Sequence, residues 1–547
     1  REVSRTLVTL GGRLDTAQLK RVEDAILNLP EVPEAKTTVE EQLTWFSKLD
    51  HSLSRFSNST KIWIEQAIKK TDWTAPDESD EIFMWMEIRS SSAQPPSPEP
   101  HTFVDENDLV SWILDTKDKV DNKDLAVWEC IVQKNLEMVR NALIVVTKQG
   151  FWPVPYWQTF LYSFSNSDKD LVTVLGQAPE EFFDKARYGI ARFMLQLASN
   201  DEDMLPKTYY LKVLSRIFDL RYPEVEISRS GLINASLNHP LGIAAEALLL
   251  FWRKSKPPLD GGLSNGYRGL FGKICRDNCL VNQFSLVHFG LNLVWLFKVD
   301  SRWSEKNLFP LLNWSVNPCQ ANALWTGFLR AMLRFPRLQK QVSDYFLQTS
   351  RHLDALSIGE RQYARFAVFS ALESPEVLES PKVSESKRWQ TLFSNLSDQG
   401  RADAIFALEQ QIQGSGDSMT KFLREKAMPF LDERWPKERS CYGNKTRTAF
   451  AHLVARIKQD FPDVAEDLKD HYRKLDEPNL VIYALTNTQH PRDYPEATLD
   501  FLDTIIDRSR PPLNKDNLRN CLQKIGEAKS SLMSDSRFLD LYSLLEV

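Results

Sequence analysis

Apolar residues recur along this chain at the spacing of a helix and almost nowhere at the spacing of a strand. In residues 321–335, Leu324, Trp325, Phe328, Leu329, Met332 and Leu333 fall at i, i+1, i+4, i+5, i+8 and i+9. Those positions share one face of a helix and make a single apolar stripe, which Pro336 is expected to stop. Ile405, Leu408 and Ile412 repeat the spacing in residues 401–413, with Gly414 placed to cap the end. Thr38-x-x-Glu41 and Ser357-x-x-Glu360 have the form of capping boxes, which open helices by satisfying their first amides. Asn238-His239-Pro240 reads as another helix start, with Asn or His as the cap and Pro in the first turn.

Residues 124–148 read as one long helix through Trp128, Ile131, Leu136, Val139 and Leu143. Residues 241–254 and 280–297 are apolar nearly all round, so they are expected at the centre of the fold. Strand signals are confined to a short alternation at Thr6–Leu10 and a possible extended run at 481–486. The expected class is therefore all-α. From about residue 120, helices alternate with short polar or Pro-containing turns, in pairs about 40 residues apart, the pattern of a HEAT-like solenoid. The copies are too dissimilar to align by eye, which leaves an irregular bundle as the alternative.

Length calls for more than one core or for an elongated array, since 547 residues exceed what a single compact core holds. The Pro/Ser-rich stretch Ser90–Pro100 has nothing to bury and cannot be helical. It divides the chain into a small N-terminal helical unit (1–88), a linker (89–104) and a helical-repeat region (105–547), with softer breaks near 256–262 and 373–384. The chain opens at Arg1 without Met, and residues 5–12 enter mid-pattern, as expected of a piece of a larger or processed polypeptide.

Charge and cysteine content narrow the function classes. With 68 basic and 74 acidic residues the net charge is −6, which gives no footprint for nucleic acid or an anionic membrane. No apolar run is long enough to span a bilayer and no signal peptide is visible, so a cytoplasmic location is expected. The six Cys are sparse and irregular, which suits a reducing compartment.

Each motif with a chemical reading has a plainer one. Gly262-Leu-Ser264-Asn-Gly266 matches a nucleophile elbow, but Lys-Pro-Pro-Leu-Asp-Gly precedes it where a strand is required. Gly266 to Lys273 lacks the hydroxyl and the glycine spacing of a phosphate loop, since Ile274 follows Lys273. Cys275 and Cys279 share a helical face, with His288 and Cys319 downstream, yet nothing resembles a paired zinc knuckle. Buried structural cysteines are the expectation. Arg330, Arg334, Arg337 and Lys340 form a basic cluster that reads as a solvated helix face. No catalytic, cofactor-binding or metal-ligating residue is assigned, and no cofactor is expected.

Several segments together carry a resemblance. They are Leu237-Asn238-His239-Pro240 continuing to Glu246, Val294-Trp295 through Asp300 to Trp303, Leu308-Phe-Pro310 to Trp314-Ser315, Ala323-Leu-Trp325-Thr-Gly327, and Glu433-Arg434-Trp435-Pro436-Lys437. Over roughly residues 120–547 the chain resembles the large helical C-terminal region that follows sirtuin-like domains in some bacterial anti-phage proteins. In that family a sirtuin-like domain hydrolyses NAD during infection, and the helical region is thought to restrain it, assemble it or sense a phage component. The resemblance implies a non-catalytic regulatory chain whose partners are a sirtuin-like effector domain, in the same or another chain, and a phage protein trigger. A homo-oligomer is compatible with it, while nucleic acid and membrane are not expected partners. No G-x-G-x-x-G follows a strand in this sequence, so no active-site residue of the family maps onto it. The rival readings are a stand-alone scaffold subunit of a multi-protein defence system, a nucleic-acid-sensing solenoid, and an enzyme assembled from residues distant in sequence.

Overall fold

A computed structural model describes Leu27 and residues 58–71, 103, 105–116, 122–164, 168–200, 207–223, 231–373, 375–378, 383–509 and 514–545. The chain divides into two compact units, Arg1–Thr102 and Phe103–Val547. In the first, the helix Asn58–Thr71 buries Thr60, Ile64 and Ala67, three residues on one face. Thr6–Leu10, Thr38–Glu41 and Ser90–Pro100 lie outside the described residues.

The second unit is an all-α helical-repeat array. Its backbone is a row of helices, each packed on the next. The row runs Val154–Ser163, Glu180–Ser199, Pro240–Lys254, Gln283–Leu291, Pro318–Ala331, Glu360–Glu373, Asp398–Gly414, Asn444–Ala455, Asn479–Thr486 and Lys515–Ala528. From Pro240 onward its members start about 40 residues apart, as in HEAT-type repeats. Shorter helices cover it as a second layer. Lys169–Leu175, Lys207–Asp219, Asn265–Arg276 and Ser301–Asn307 follow one another at one end, and Phe461–Asp467, Pro495–Ile505 and Ser536–Ser543 at the other. The buried apolar side chains form one connected core from Leu109 to Leu541. Among the described residues the only β feature is an isolated bridge between Leu475 and Ile506.

Local chemistry explains why these segments start where they do. Asp105, Asn135, Asp168, Asp300, Asn317, Ser384, Ser397, Asn514 and Asp535 each cap a helix by accepting its first amides. Pro240, Pro318, Pro336 and Pro495 occupy first-turn positions, where the missing N–H costs nothing. Of the two candidate caps His239 is the one used, accepting the Leu241 amide on Nδ1 at 3.2 Å, while Asn238 ends the preceding helix.

The tightest joint in the row lies between Gln283–Leu291 and Pro318–Ala331. A Cβ on Gly290 would strike the Leu324 carbonyl, and a Cβ on Gly327 would strike the Val287 carbonyl. The two glycines therefore let the backbones touch.

A polar ladder binds successive repeats along the N-terminal edge of the row. Asn322 Oδ1 accepts the Ser357 amide at 2.8 Å, and Glu360 Oε1 accepts the Ser397 amide at 2.6 Å. Asp398 Oδ2 accepts the Lys445 amide at 2.9 Å, Asn444 Oδ1 the Asp476 amide at 3.1 Å, and Asn479 Oδ1 the Asn514 amide at 3.1 Å. Glu360, Asp398, Asn444 and Asn479 are each the first residue of a row helix, so one position recurs as the acceptor. Burial opposes the charge on Asp398, but the Thr446 hydroxyl and the Lys445 and Thr446 amides outweigh it and hold its pKa below the ordinary value.

Several expected element boundaries move. The expected single helix over 124–148 is two, Asn122–Lys134 and Leu136–Lys148, because Asn135 leaves helical geometry to cap the second by accepting the Met138 amide. Residues 280–297 are central as expected but broken. A 3-10 turn Leu280–Asn282 precedes the helix, and a 67° bend separates Leu280–Leu291 from Leu293–Val299. The helix in 321–335 ends at Ala331, where Met332 turns left-handed, and Pro336 opens the next helix. Gly414 is the last helical residue, and the left-handed turn falls to Gly416. Ser357 and Glu360 do not form a box, since Glu360 begins the helix and reaches forward to Ser397, while the Ser357 amide donates to Asn322 Oδ1. Residues 481–486 are helical, part of Asn479–Thr486, with Val481, Ile482 and Leu485 buried at helical spacing.

Candidate functional site

Three consecutive row helices leave an open groove of about 870 Å³ on the array, a size that suits a ligand or a peptide side chain. Its walls come from Asp398–Gly414, Asn444–Ala455 and the segment from Asn479 to Tyr494. The rim is apolar and exposed: Leu480 is 71%, Tyr483 58% and Phe406 38% accessible. Large apolar side chains at that exposure, clustered at a concavity, are the usual mark of a binding surface.

Polar groups converge beneath the rim. Glu409 is buried in the row, and its carboxylate receives His452 Nδ1 at 2.9 Å and Arg456 Nε at 3.3 Å. A carboxylate accepts, so Nδ1 donates to Glu409 and Nε2 is the nitrogen left for the groove. Gln413 Nε2 donates to the Arg456 carbonyl at 2.9 Å, which fixes the amide beside it. The His490 ring stacks on Phe461 at 4.3 Å, and its buried Nε2 has no hydrogen-bond partner. Burial lowers the His490 pKa, partly opposed by the nearby Ile457 and Ala455 carbonyls, so the ring is neutral at physiological pH. The groove thus offers aromatic and aliphatic contact, fixed amides, and one imidazole held by Glu409.

The motifs singled out in the sequence lie elsewhere and are occupied by structural contacts. Ser264 stands before the helix Asn265–Arg276 in ordinary extended backbone (φ −67°, ψ 152°), without the strain a nucleophile elbow needs. The Lys207 ammonium donates to Ser264 Oγ and lies 4.2 Å from the Tyr267 ring centre, and burial lowers its pKa. Asp300 accepts the Leu263 amide, Arg268 Nη2 and the Trp303 amide, and so pins the 256–262 loop to the next helix. Lys273 pairs with Asp219. Cys275 is buried, and burial pushes its thiol pKa up, while Cys279 and Cys319 are exposed. His288 is buried with Nε2 3.3 Å from the Ser236 carbonyl. Among the described residues no three His, Cys, Asp or Glu side chains gather at metal-binding distance. Within the basic cluster Arg334 pairs with Glu373 at 3.0 Å, and Arg337 lies over Phe297.

None of the groove residues stood out in the sequence. The available signal was the run Leu480-Val-Ile-Tyr-Ala-Leu485, which is apolar on every side. Leu480 and Tyr483 lie on the side of this helix that its neighbours leave uncovered. Among the described residues no single helix is long and apolar enough to cross a membrane. The bent pair Leu280–Leu291 and Leu293–Val299 packs most of its side chains into the core, leaving Leu280 and Trp295 exposed. No family model, no curated protein and no solved structure matches the chain.

Proposed function

We propose that this chain is a non-catalytic recognition region, in which the groove bounded by Phe406, His452 and Tyr483 holds a segment of a protein partner. The observation that carries this reading is the exposed apolar rim of Leu480, Tyr483 and Phe406 above an amide- and imidazole-lined floor. Apolar anchors surrounded by fixed polar groups are what a binding hot spot requires. Helical repeats suit this task because they present extended surfaces built from successive helices.

Following the resemblance, the partner is a sirtuin-like NAD-hydrolysing domain, in the same polypeptide or beside it, in the cytoplasm of a bacterium defending itself against phage. Restraint then requires that the groove bind the inactive form of the enzyme better than the active form, because a ligand shifts an equilibrium only by its differential affinity. A phage protein that competes for the groove, or pulls the array into another arrangement, releases the enzyme. The test is co-purification of the wild-type chain and of Leu480→Asp with the sirtuin-like domain encoded with it. Retention of the wild type and loss of the variant supports the reading, and equal retention or no retention of either removes it.

A further inference from the structure

A second surface on the array carries a different chemistry. Between the end of the row helix Pro240–Lys254 and the row helix Glu360–Glu373, on Leu293–Val299 and around Pro336, cations lie over a series of aromatic rings. Arg253 and Lys298 lie 5.5 Å and 5.6 Å from the Trp295 ring centre, and Lys298 lies 4.7 Å from Phe335. Phe335 meets Phe297 edge-on at 6.1 Å, and Arg337 lies 5.8 Å over Phe297. Arg334, next to Phe335, lies 5.1 Å over Phe369, which Arg365 also approaches at 6.0 Å.

The charges of this belt are left uncompensated. Arg334 has Glu373, but Arg253, Lys298, Arg337 and Arg365 have no carboxylate partner among the described residues. Other arginines on the array meet acids, as Arg268 with Asp300, Arg388 with Asp344 and Arg434 with Glu385, or backbone carbonyls, as Arg216 with Ala178 and Arg447 with Lys474. Aromatic faces hold a cation in place without neutralising it, so its N–H groups remain for an outside acceptor. Some of this positive charge stabilises the helix C-termini it sits beside, yet that effect needs neither the aromatic rings nor the shortage of acids.

We infer that the belt from Arg253 to Arg365 is a docking surface for an acidic, extended protein segment. Charge complementarity selects an anion. The ring faces are already covered by the protein's own cations, so bases have no open face on which to stack, and stacking is what single-stranded nucleic acid sites rely on. A net charge of −6 on the whole chain also disfavours a long polyphosphate, whose charges would extend past the belt, whereas a short acidic segment ends with it. Row helices about 10 Å apart place the two ends roughly 30 Å apart. About nine residues of extended chain cover that distance, with alternate carboxylates on the side facing the belt.

The surface is separate from the groove, so the two readings stand or fall independently. The experiment is fluorescence anisotropy of the full chain with a labelled decamer of alternating Glu and Ser, and with a labelled ten-nucleotide thymidine strand, at low and moderate salt. The decamer is expected to bind saturably and to weaken with salt. The double variant Arg253→Glu/Arg337→Glu is expected to weaken it about tenfold or more, since both side chains are exposed and meet the partner's charge directly. Leu480→Asp is expected to leave it unchanged. Absence of saturable decamer binding at low salt overturns the inference, and so does binding that survives the charge reversal. Tighter binding of the thymidine strand than of the decamer also overturns it. If the double variant does not fold, Trp295→Ala is the second arm, with decamer binding weakened by release of Arg253 and Lys298 from their ring; unchanged binding counts against the belt.

Discussion

Glu360 accepts the backbone N–H of Ser397 at 2.6 Å, and Ser397 is the residue that caps the next row helix. The carboxylate also receives the Ser397 hydroxyl. The first residue of one repeat thus fixes the start of the following one, and Asp398, beside Ser397, passes the same bond forward to Lys445. A ladder of this kind couples neighbours in an array whose stability is otherwise a sum of local interfaces.

Glu360→Ala leaves the Ser397 amide without its acceptor. The bond is exposed, so water can replace the acceptor, and the expected cost is about 0.5–1 kcal/mol. Urea denaturation of the variant beside Glu360→Gln tests it. Gln keeps an acceptor oxygen, so its loss should be smaller than that of Ala.

The Gly290–Gly327 joint should be the least tolerant position in the row. Gly290→Ala or Gly327→Ala drives a methyl into a facing backbone carbonyl, which no rotamer change can relieve. A loss of about 3 kcal/mol or more is expected, since overpacking against fixed backbone forces the helices apart. Thermal unfolding followed by circular dichroism measures it, and Gly414→Ala, where the added methyl meets nothing, is the control.

Stability should fall on mild acidification. Burial lowers the pKa of His288 to about 4, partly offset by the Ser236 carbonyl, and burial together with Arg187 lowers that of His239 to about 4. In the unfolded chain each titrates near 6.5. Above that value both states are neutral and the groups contribute nothing. Between about pH 6.5 and pH 4 the unfolded chain binds protons that the folded chain refuses, so stability drops as the pH falls. Asp398 has the opposite origin but the same direction further down, because its lowered pKa gives stability that is lost as the pH falls below the ordinary carboxylate range. Urea midpoints at about pH 7 and about pH 5 should differ in the wild type and differ less in His288→Gln.

Much of the architecture was legible because helices, caps and first-turn prolines are written in adjacent residues. His239-Pro240 marked a helix start correctly, and the stripe through Trp325 and Phe328 marked a row helix. Reading failed where one residue had to choose between two helices. Asn135 continues an apolar periodicity yet caps a new helix, and Met332 turns left-handed four residues before the expected Pro336. Ser357 and Glu360 have the spacing of a box, but each bonds to a different repeat, and bonds spanning 35 and 37 residues leave no local trace. The groove was hidden for the same reason. Glu409, His452 and His490 come from three repeats, and only the array brings them together.

Surface substitutions in the groove should separate folding from binding. Tyr483→Ala and Leu480→Asp replace side chains that are mostly in solvent, so stability should stay within about 0.5 kcal/mol of the wild type. Arg456→Ala, by contrast, takes one partner from the buried Glu409 carboxylate and should lower stability measurably. Differential scanning calorimetry of the three variants distinguishes the rim from the floor.

Under the proposed function, this chain would restrain an NAD-hydrolysing partner and perform no hydrolysis itself. The direct measurement is NAD consumption by a sirtuin-like NAD-hydrolysing domain, alone, with the wild-type chain and with Leu480→Asp, alongside the chain by itself. The account predicts no consumption by the chain alone, a lowered rate with the wild type, and an unrestrained rate with Leu480→Asp. NAD consumption by the purified chain, or equal rates with wild type and variant, would contradict it.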